Sequence, residues 1–234
     1  MFKEEYFIHL SNYPKQILKG KKPFHHRFWI RYIQKLKPKG KLLDLGCGEG
    51  FFLEHAEKYY ETYGVDISEY AISSAKQRCK RSKLYVKDAE TRFDICQFDI
   101  IVCFDVLEHI EDPFLVMQEC YRILKHKGLF IVSVPNTKSL SRFWKRENWH
   151  GKRDPTHVSL LPREKWVKLL QDAGFQVLEI FYDYLWDSPY FRKIPAFLQH
   201  FLFKFPSTLF FFLGIRFPEK LGENVYIISI KNRE

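Results

Sequence analysis

Along most of the chain, short runs of apolar residues alternate with longer stretches in which apolar positions recur every three or four residues. The short runs predict buried strands and the longer stretches predict amphipathic helices. In Phe24 to Leu36 the positions Phe28, Ile30, Tyr32, Ile33 and Leu36 fit a helix stopped by Pro38 and Gly40. KLLDLG is then a first strand, FFLEHAEKYY a helix within 50–60, ETYGVDIS a second strand ending in Asp66, and SEYAISSAKQRCKR a helix. KLYVKDA and the nearly all-apolar FDIIVCFD are the third and fourth strands. PFLVMQECYRILKHKG reads as a helix that glycine ends, and LFIVSVPN as the fifth strand. Strands alternating with helices imply an α/β domain whose parallel sheet is covered on both faces. After Asn136 comes a polar, aromatic, histidine-containing connection (137–158). LPREKWVKLLQDAGF then predicts a helix, with Pro162 suited to its first turn and Gly174 to its end. FQVLEIFYDYLW and ENVYIISIKN are two further strands, separated by a long apolar insertion over 187–221.

Composition adjusts this picture modestly. The 234 residues suit one well-buried domain over 24–234, preceded by a basic lead-in over 1–23 that ends in KGKKP. A formal charge of +10 favours anionic surroundings such as nucleic acid, lipid headgroups or phosphorylated substrates, and is equally met by lysine-rich solvated helices. The five cysteines form no C-x-x-C pair and several fall in apolar segments, as small buried hydrophobes do in a reducing compartment. MFKEEYFIHL carries acids and lacks an apolar stretch of signal-peptide kind, and no segment is apolar for long enough to span a bilayer. These features predict a cytoplasmic protein.

The chemistry concentrates at strand ends. Gly46, Gly48 and Gly50 follow the first strand, where glycines permit positive φ and let a ligand approach the backbone. A dinucleotide turn needs G-x-G-x-x-G, and here Gly50 comes one place too early, with Phe51 where the last glycine belongs. Asp66 ends the second strand, where a carboxylate accepts both hydroxyls of a ribose, or else caps the following helix in competition with Ser68. Asp88 and Ala89 close the third strand, and Phe104-Asp105-Val106-Leu107-Glu108-His109 the fourth. Together these point to a nucleoside-bearing cofactor that places no pyrophosphate on the glycine turn.

DLGCGEG, GVDIS, KDAE, FDIIVCFDVLEHIEDP and LKHKGLFIVSVPN resemble, in order and spacing, the successive motifs of class I S-adenosylmethionine-dependent methyltransferases. VLEHI-x-DP, then D-x-THV and a helix ending in AGF, is similar to the ubiquinone-biosynthesis O-methyltransferase-like group. The resemblance covers about 24–186 and implies a doubly wound, Rossmann-like fold with a mostly parallel seven-stranded sheet and an antiparallel last strand. It implies S-adenosyl-L-methionine as cofactor. Gly46, Gly48 and Gly50 would lie against its methionine part and Asp44 near its amino group. Asp66 would hold the ribose, Ile67 would pack on adenine, and Asp88 and Ala89 would flank the adenine edge. Phe104 would offer its backbone carbonyl to the cofactor ammonium. Arg27, with Arg31 as alternative, stands where related enzymes hold the cofactor carboxylate, unless this is only a solvated helix face.

Methyl transfer from a sulfonium is an in-line displacement whose leaving thioether is neutral, so the protein supplies mainly alignment and exclusion of water. An oxygen acceptor also needs a base. His109 and His157 are the catalytic candidates, with a capping or carbonyl-bonded role as the alternative for His109. His150, Arg153 and Asp154 are candidates for the acceptor side, Asp154 as a partner of His157. Two histidines and an acid in this stretch lack an obvious fourth ligand, so no metal is expected. The fourth strand ends in CFDV, which is neither a D/N-P-P-Y/F motif nor a Pro-Cys pair, arguing against those two routes of base methylation. The insertion, apolar and sparsely basic over 194–217, reads as a cap on the acceptor pocket, a membrane-surface contact or a subunit interface. The leading expectation is O-methylation of a small or lipid-linked acceptor. The competing ones are an RNA methyltransferase, suggested by net charge and KQRCKRSKLYVK, and a non-catalytic lipid-binding module of the same fold.

Overall fold

The structure is a computed structural model that describes residues 24–94, 97–191, 193–213 and 216–232, together with Tyr6. Apart from Tyr6, the lead-in expected over 1–23 lies outside the described residues, as does Cys96. The chain divides into two compact units, Met1–Cys103 with Gln118–Phe130 and Lys231–Glu234, and Phe104–Met117 with Ile131–Ile230.

The seven strands are β1 (Lys41–Leu45), β2 (Glu61–Asp66), β3 (Lys83–Val86), β4 (Phe98–Phe104), β5 (Leu124–Pro135), β6 (Phe175–Tyr182) and β7 (Asn224–Lys231). They form one sheet in the order β3-β2-β1-β4-β5-β7-β6. β1 pairs in parallel with β2 and β4, and β2 with β3. β7 runs the other way: Asn136, just past β5, donates to the Glu223 carbonyl before β7, while Lys231 at the end of β7 reaches the Leu124 carbonyl that opens β5. Successive residues of a strand face opposite sides, so the unbroken burial of Leu42 to Leu45 and of Asn224 to Ser229 means that both faces are covered there.

In the first unit, helix α1 (Phe24–Leu36) buries Trp29, Ile30 and Ile33. The helix expected within 50–60 shortens to α2 (Leu53–Ala56), because the glycine turn and its backbone bonds occupy the residues before it. Helix α3 (Glu69–Arg78) begins at Ser68, whose hydroxyl accepts from the Ala71 amide. Helix α4 (Pro113–Ile123), which belongs to this unit from Gln118 onward, stops five residues before the glycine expected to end it. Leu124 already belongs to β5, where Lys125 pairs with Asp99 at 2.8 Å, and Lys127 takes a left-handed conformation (φ 56°) just before Gly128.

In the second unit, the connection after β5 holds two short helices, α5 (Leu140–Lys145) and α6 (His150–Arg153). Helix α7 (Arg163–Asp172) follows, with Pro162 at its cap and Gly174 left-handed beyond its end (φ 101°). The insertion contains α8 (Ala196–Gln199) and α9 (Phe205–Phe212). Cys47, Cys79, Cys103 and Cys120 are buried and outside any disulfide among the described residues, as the sequence suggests.

Candidate functional site

The glycine turn is built from β1, β2 and α3. Gly46, Gly48 and Gly50 all have positive φ (75°, 50° and 79°), a region that side chains with a Cβ rarely adopt. The amides of Gly46 and Cys47 both donate to the Val65 carbonyl at 2.9 Å, which ties the turn to the end of β2. Gly50 has a second reason to be glycine: a Cβ there would lie 2.8 Å from Cys79 Sγ and 3.0 Å from Ala75 Cβ. Gly50 therefore sets the close approach of turn and α3. Gly50→Ala should lower stability by about 2–4 kcal/mol from combined strain and overpacking, read as a fall in Tm.

Two carboxylates face this turn. Asp66 accepts from the Gly48 amide (2.9 Å) through one oxygen and from the Ser68 amide (2.9 Å) through the other. Ser68 is the helix cap, so Asp66 is released from that role and its remaining lone pairs can accept hydroxyls. Asp44 is 3% exposed, and burial, with Asp66 nearby, pushes its carboxyl up to about 8. An acid of that kind stays largely protonated at neutral pH until a cation joins it. The Lys87 amide bonds to the Asp66 carbonyl (2.9 Å), which carries the chain directly to Asp88 and Ala89, both half-buried. Ile67 is half-buried beside Asp66.

Arg78 is a residue that sequence reasoning missed. Its Nε donates to the Glu49 carbonyl (3.0 Å) and its guanidinium lies 3.6 Å from the centre of the Phe51 ring, so it braces the turn from α3. Arg27 is exposed and lines, with Arg31, Gln34, Lys58 and Tyr59, a shallow hollow of about 200 Å³. The three turn glycines do not line that hollow.

The second unit assembles its own cluster. β4 ends at Phe104, half-buried, and Asp105 turns the chain with φ 55°. Asp105 Oδ1 accepts from the Ser133 hydroxyl (2.8 Å) and the Asn224 amide (3.0 Å). A 3-10 turn, Leu107–His109, then presents Glu108 and His109. The Glu108 carbonyl accepts from both the Val158 and Ser159 amides (2.9 Å each), which draws the D-x-THV stretch alongside.

Hydrogen-bond directions fix the tautomers. The Thr156 hydroxyl donates to Asp154 Oδ1 (2.5 Å), so toward His109 Nδ1 (2.8 Å) it can only accept. His109 therefore carries its proton on Nδ1 and a lone pair on Nε2. His157 Nδ1 faces the Gly151 carbonyl at 2.7 Å, which likewise leaves the lone pair on Nε2. The two rings lie 4.5 Å apart. Burial, then the neighbouring His157, lowers His109 to about 4, so the imidazole is neutral across ordinary pH. Burial opposes ionisation of Asp154, but hydrogen bonds from Thr156 outweigh it and hold this carboxyl below its usual range.

Glu108 is the other residue missed. It is 1% exposed, its Oε2 has no hydrogen-bond partner among the described residues, and burial, with Asp105, drives its carboxyl well above the usual range. One ligand atom from each of Glu108, His109 and His157 falls within 4.8 Å of the others. Two imidazole nitrogens and a carboxylate form a donor set able to hold a divalent cation. The expectation of no metal weighed a different three, His150, Asp154 and His157.

His150 and Arg153 do not join this group. The His150 ring sits between Trp149 (4.9 Å) and Trp186 (4.7 Å), with Asp187 and Glu223 at 3.7 and 3.6 Å. Arg153 is half-exposed and lies 3.9 Å from Asp187. Helix α6 separates the two sets: Gly151 supplies a carbonyl to His157, while the His150 amide bonds to Asp187 (3.2 Å). The acceptor-side residues thus divide into Asp154 with the histidine pair and His150–Arg153 with the buried Lys145–Asp187 pair (2.6 Å).

A family model described as a methyltransferase domain matches residues 20–180. This chain belongs to the methyltransferase-domain family. A probable S-adenosylmethionine-dependent methyltransferase of Mycolicibacterium smegmatis is 30% identical over 138 residues, 58% of this chain and 52% of that protein. A ubiquinone biosynthesis O-methyltransferase of Coxiella burnetii is 35% identical over 125 residues, 49% of this chain and 53% of that protein. The chain thus spans about half the length of the curated relatives it matches. A crystal structure of a SAM-dependent methyltransferase from Archaeoglobus fulgidus superposes with a TM-score of 0.66 at 21% identity, covering 97% of this chain and 99% of that one, which shows the fold. By family the chain is a methyltransferase-domain protein, and by fold it shares the architecture of that structure.

Proposed function

We propose that this methyltransferase transfers the methyl group of S-adenosylmethionine to an oxygen of a small, hydrophobic or lipid-linked acceptor. In this reading Gly46 and Gly48 approach the methionine part, Gly50 sets the turn, and Asp44 receives the ammonium. Asp66 accepts the ribose hydroxyls, and Ile67, Asp88 and Ala89 bound the adenine. The cofactor supplies an electrophilic methyl group; the protein has to orient it, keep water away and manage one proton.

The observation that carries the choice of oxygen is the Asp154–Thr156–His109 chain. A hydroxyl must lose its proton as it is methylated, whereas an amine need only arrive neutral. His109, neutral and with Nε2 unprotonated, is disposed to take that proton, and Thr156 with Asp154 steadies the imidazolium that results. His157, held by the Gly151 carbonyl, offers a second nitrogen to orient the acceptor. A low imidazole pKa makes a weak base, so acidic acceptors such as phenols are favoured over simple alcohols. A panel of hydrophobic phenols, alcohols and amines, incubated with isotopically methyl-labelled cofactor, tests this directly. Labelled ethers of the phenols are the expected product, and label found only in amines would replace the oxygen reading.

A further inference from the structure

From Ser188 to Pro218 the sequence contains no aspartate or glutamate, while Arg192, Lys193, Lys204 and Arg216 all fall there. Within it, α8, a π-helical turn over His200–Lys204 and α9 follow one another without a break. One side of this rod is anchored. Gln199 is fully buried; its side-chain oxygen accepts from the Tyr190 and Phe191 amides (2.6 and 2.9 Å), and its nitrogen donates to the Phe191 and Ile194 carbonyls (2.7 and 2.6 Å). Phe203 packs on the same side, 5.9 Å from the Tyr190 ring, and Tyr190 donates to Glu223 beside β7. The other side is a row of large apolar groups in solvent: Phe197, Phe201, Phe205 and Leu213 are each 64–76% exposed, and Leu202 and Leu209 about half. Scattered surface apolar residues need no explanation, but a contiguous row of this size does.

We infer that this rod lies in the plane of a membrane surface rich in anionic lipid, its apolar side in the headgroup–acyl boundary. Seventeen residues, Ala196 to Phe212, make a helix of roughly 25 Å. None of the described helices is long and apolar enough to cross a membrane, so the rod lies flat. Charge selects the bilayer over a second copy of the chain. The segment's basic residues have no acid among them to answer a partner's, so a self-paired surface would set like charges together. Anionic headgroups answer them, and apolar burial plus basic residues is the pair of signals that interfacial helices need. Lys193 precedes the rod and Lys220 follows it, both exposed, while Arg216 is engaged by Glu179.

This inference rests on the anchoring and exposure of the rod, and it supplies the proposed hydrophobic acceptor with a place to be met. The full chain is sedimented with vesicles of phosphatidylcholine alone and of phosphatidylcholine mixed with phosphatidylglycerol. Binding should be strong only to the mixed vesicles and fall at least about tenfold in high salt. Phe201→Ser with Phe205→Ser should weaken it at least about tenfold, since both rings are already in solvent and their loss leaves the fold intact. Calorimetric affinity for S-adenosylmethionine, measured on the same variant, should stay unchanged; its loss from both proteins would count against the methyl-transfer reading instead. No pelleting of wild-type protein at low salt, or equal pelleting of the double variant, overturns the inference. So does a wild-type dimer that the variant turns into a monomer without any vesicle binding, which would assign the row to a second copy.

Discussion

Replacing His109 by alanine should lower kcat by about 10²–10⁴-fold while leaving the affinity for S-adenosylmethionine within about twofold of wild type. The two quantities separate because His109 lies in the Leu107–His109 turn and makes none of the bonds that hold Asp66 and the glycine turn. The pH profile offers a sharper check. An ordinary histidine would impose an acidic limb near 6.5, but burial and His157 bring His109 down to about 4. A reaction that needs the neutral imidazole should therefore hold its rate well below pH 6. Thr156→Val removes the closer acceptor for the Nδ1 proton and leaves only the Thr156 carbonyl at 3.3 Å, which loosens the ring. It should lose much of the rate with little change in fold, whereas Thr156→Ser should restore it. A variant at His109 that turns over at the wild-type rate would remove it as the base.

Asp44→Asn should act in opposite directions on two measurements. With the cofactor, it replaces a carboxylate facing an ammonium by a neutral amide, which should weaken binding by about 100-fold. Without the cofactor, it should stabilise the protein. The folded carboxyl titrates at about 8 against the usual 3.8, so the folded state holds a proton that the unfolded state gives up between those values. Wild-type stability contributed by this group is thus complete below about pH 4 and is lost as pH rises toward 8. The asparagine variant has no such loss, and its advantage in Tm should widen steadily from pH 5 to pH 8. The same linkage means that wild-type protein releases a proton when the cofactor binds near pH 7. Calorimetry in buffers of different ionisation enthalpy should show that release, and the variant should lack it.

Much of the sheet could be read from the chain because apolar runs such as LLDL and DIIVCF admit few other fates. The rim acids were legible for the same reason: a carboxylate ending an apolar run must emerge at a strand's carboxyl end. Where the expectation slipped, a local preference met a stronger distant constraint. Gly128 looks like a helix terminator, yet Leu124 and Lys125 are claimed earlier by Lys231 and Asp99, and the helix yields to a strand. Glu108 and His157 stand 49 positions apart, and nothing in their spacing says that two amides will converge on one carbonyl to bring them together. His150 and His157, close in sequence, part company because α6 lies between them and each turns to a different backbone anchor. Arg78 was hidden in a basic run in which Lys76, Lys80, Arg81 and Lys83 are exposed; its contact with Phe51 depends on the turn that only the folded chain supplies.

The double bond from Val158 and Ser159 to the Glu108 carbonyl is completed by the Ser159 hydroxyl, which donates to the Ile110 carbonyl at 2.6 Å. This short splice fixes the register between the strand-four turn and the D-x-THV stretch without using the residues from Thr137 to Asn148. That excursion is anchored elsewhere: Ser141 donates to Glu223, and Lys145 pairs with Asp187 at 2.6 Å. A substitution within 137–148 therefore acts first on the Glu223 and Asp187 side, while the bonds that place His109 and His157 stay as they are.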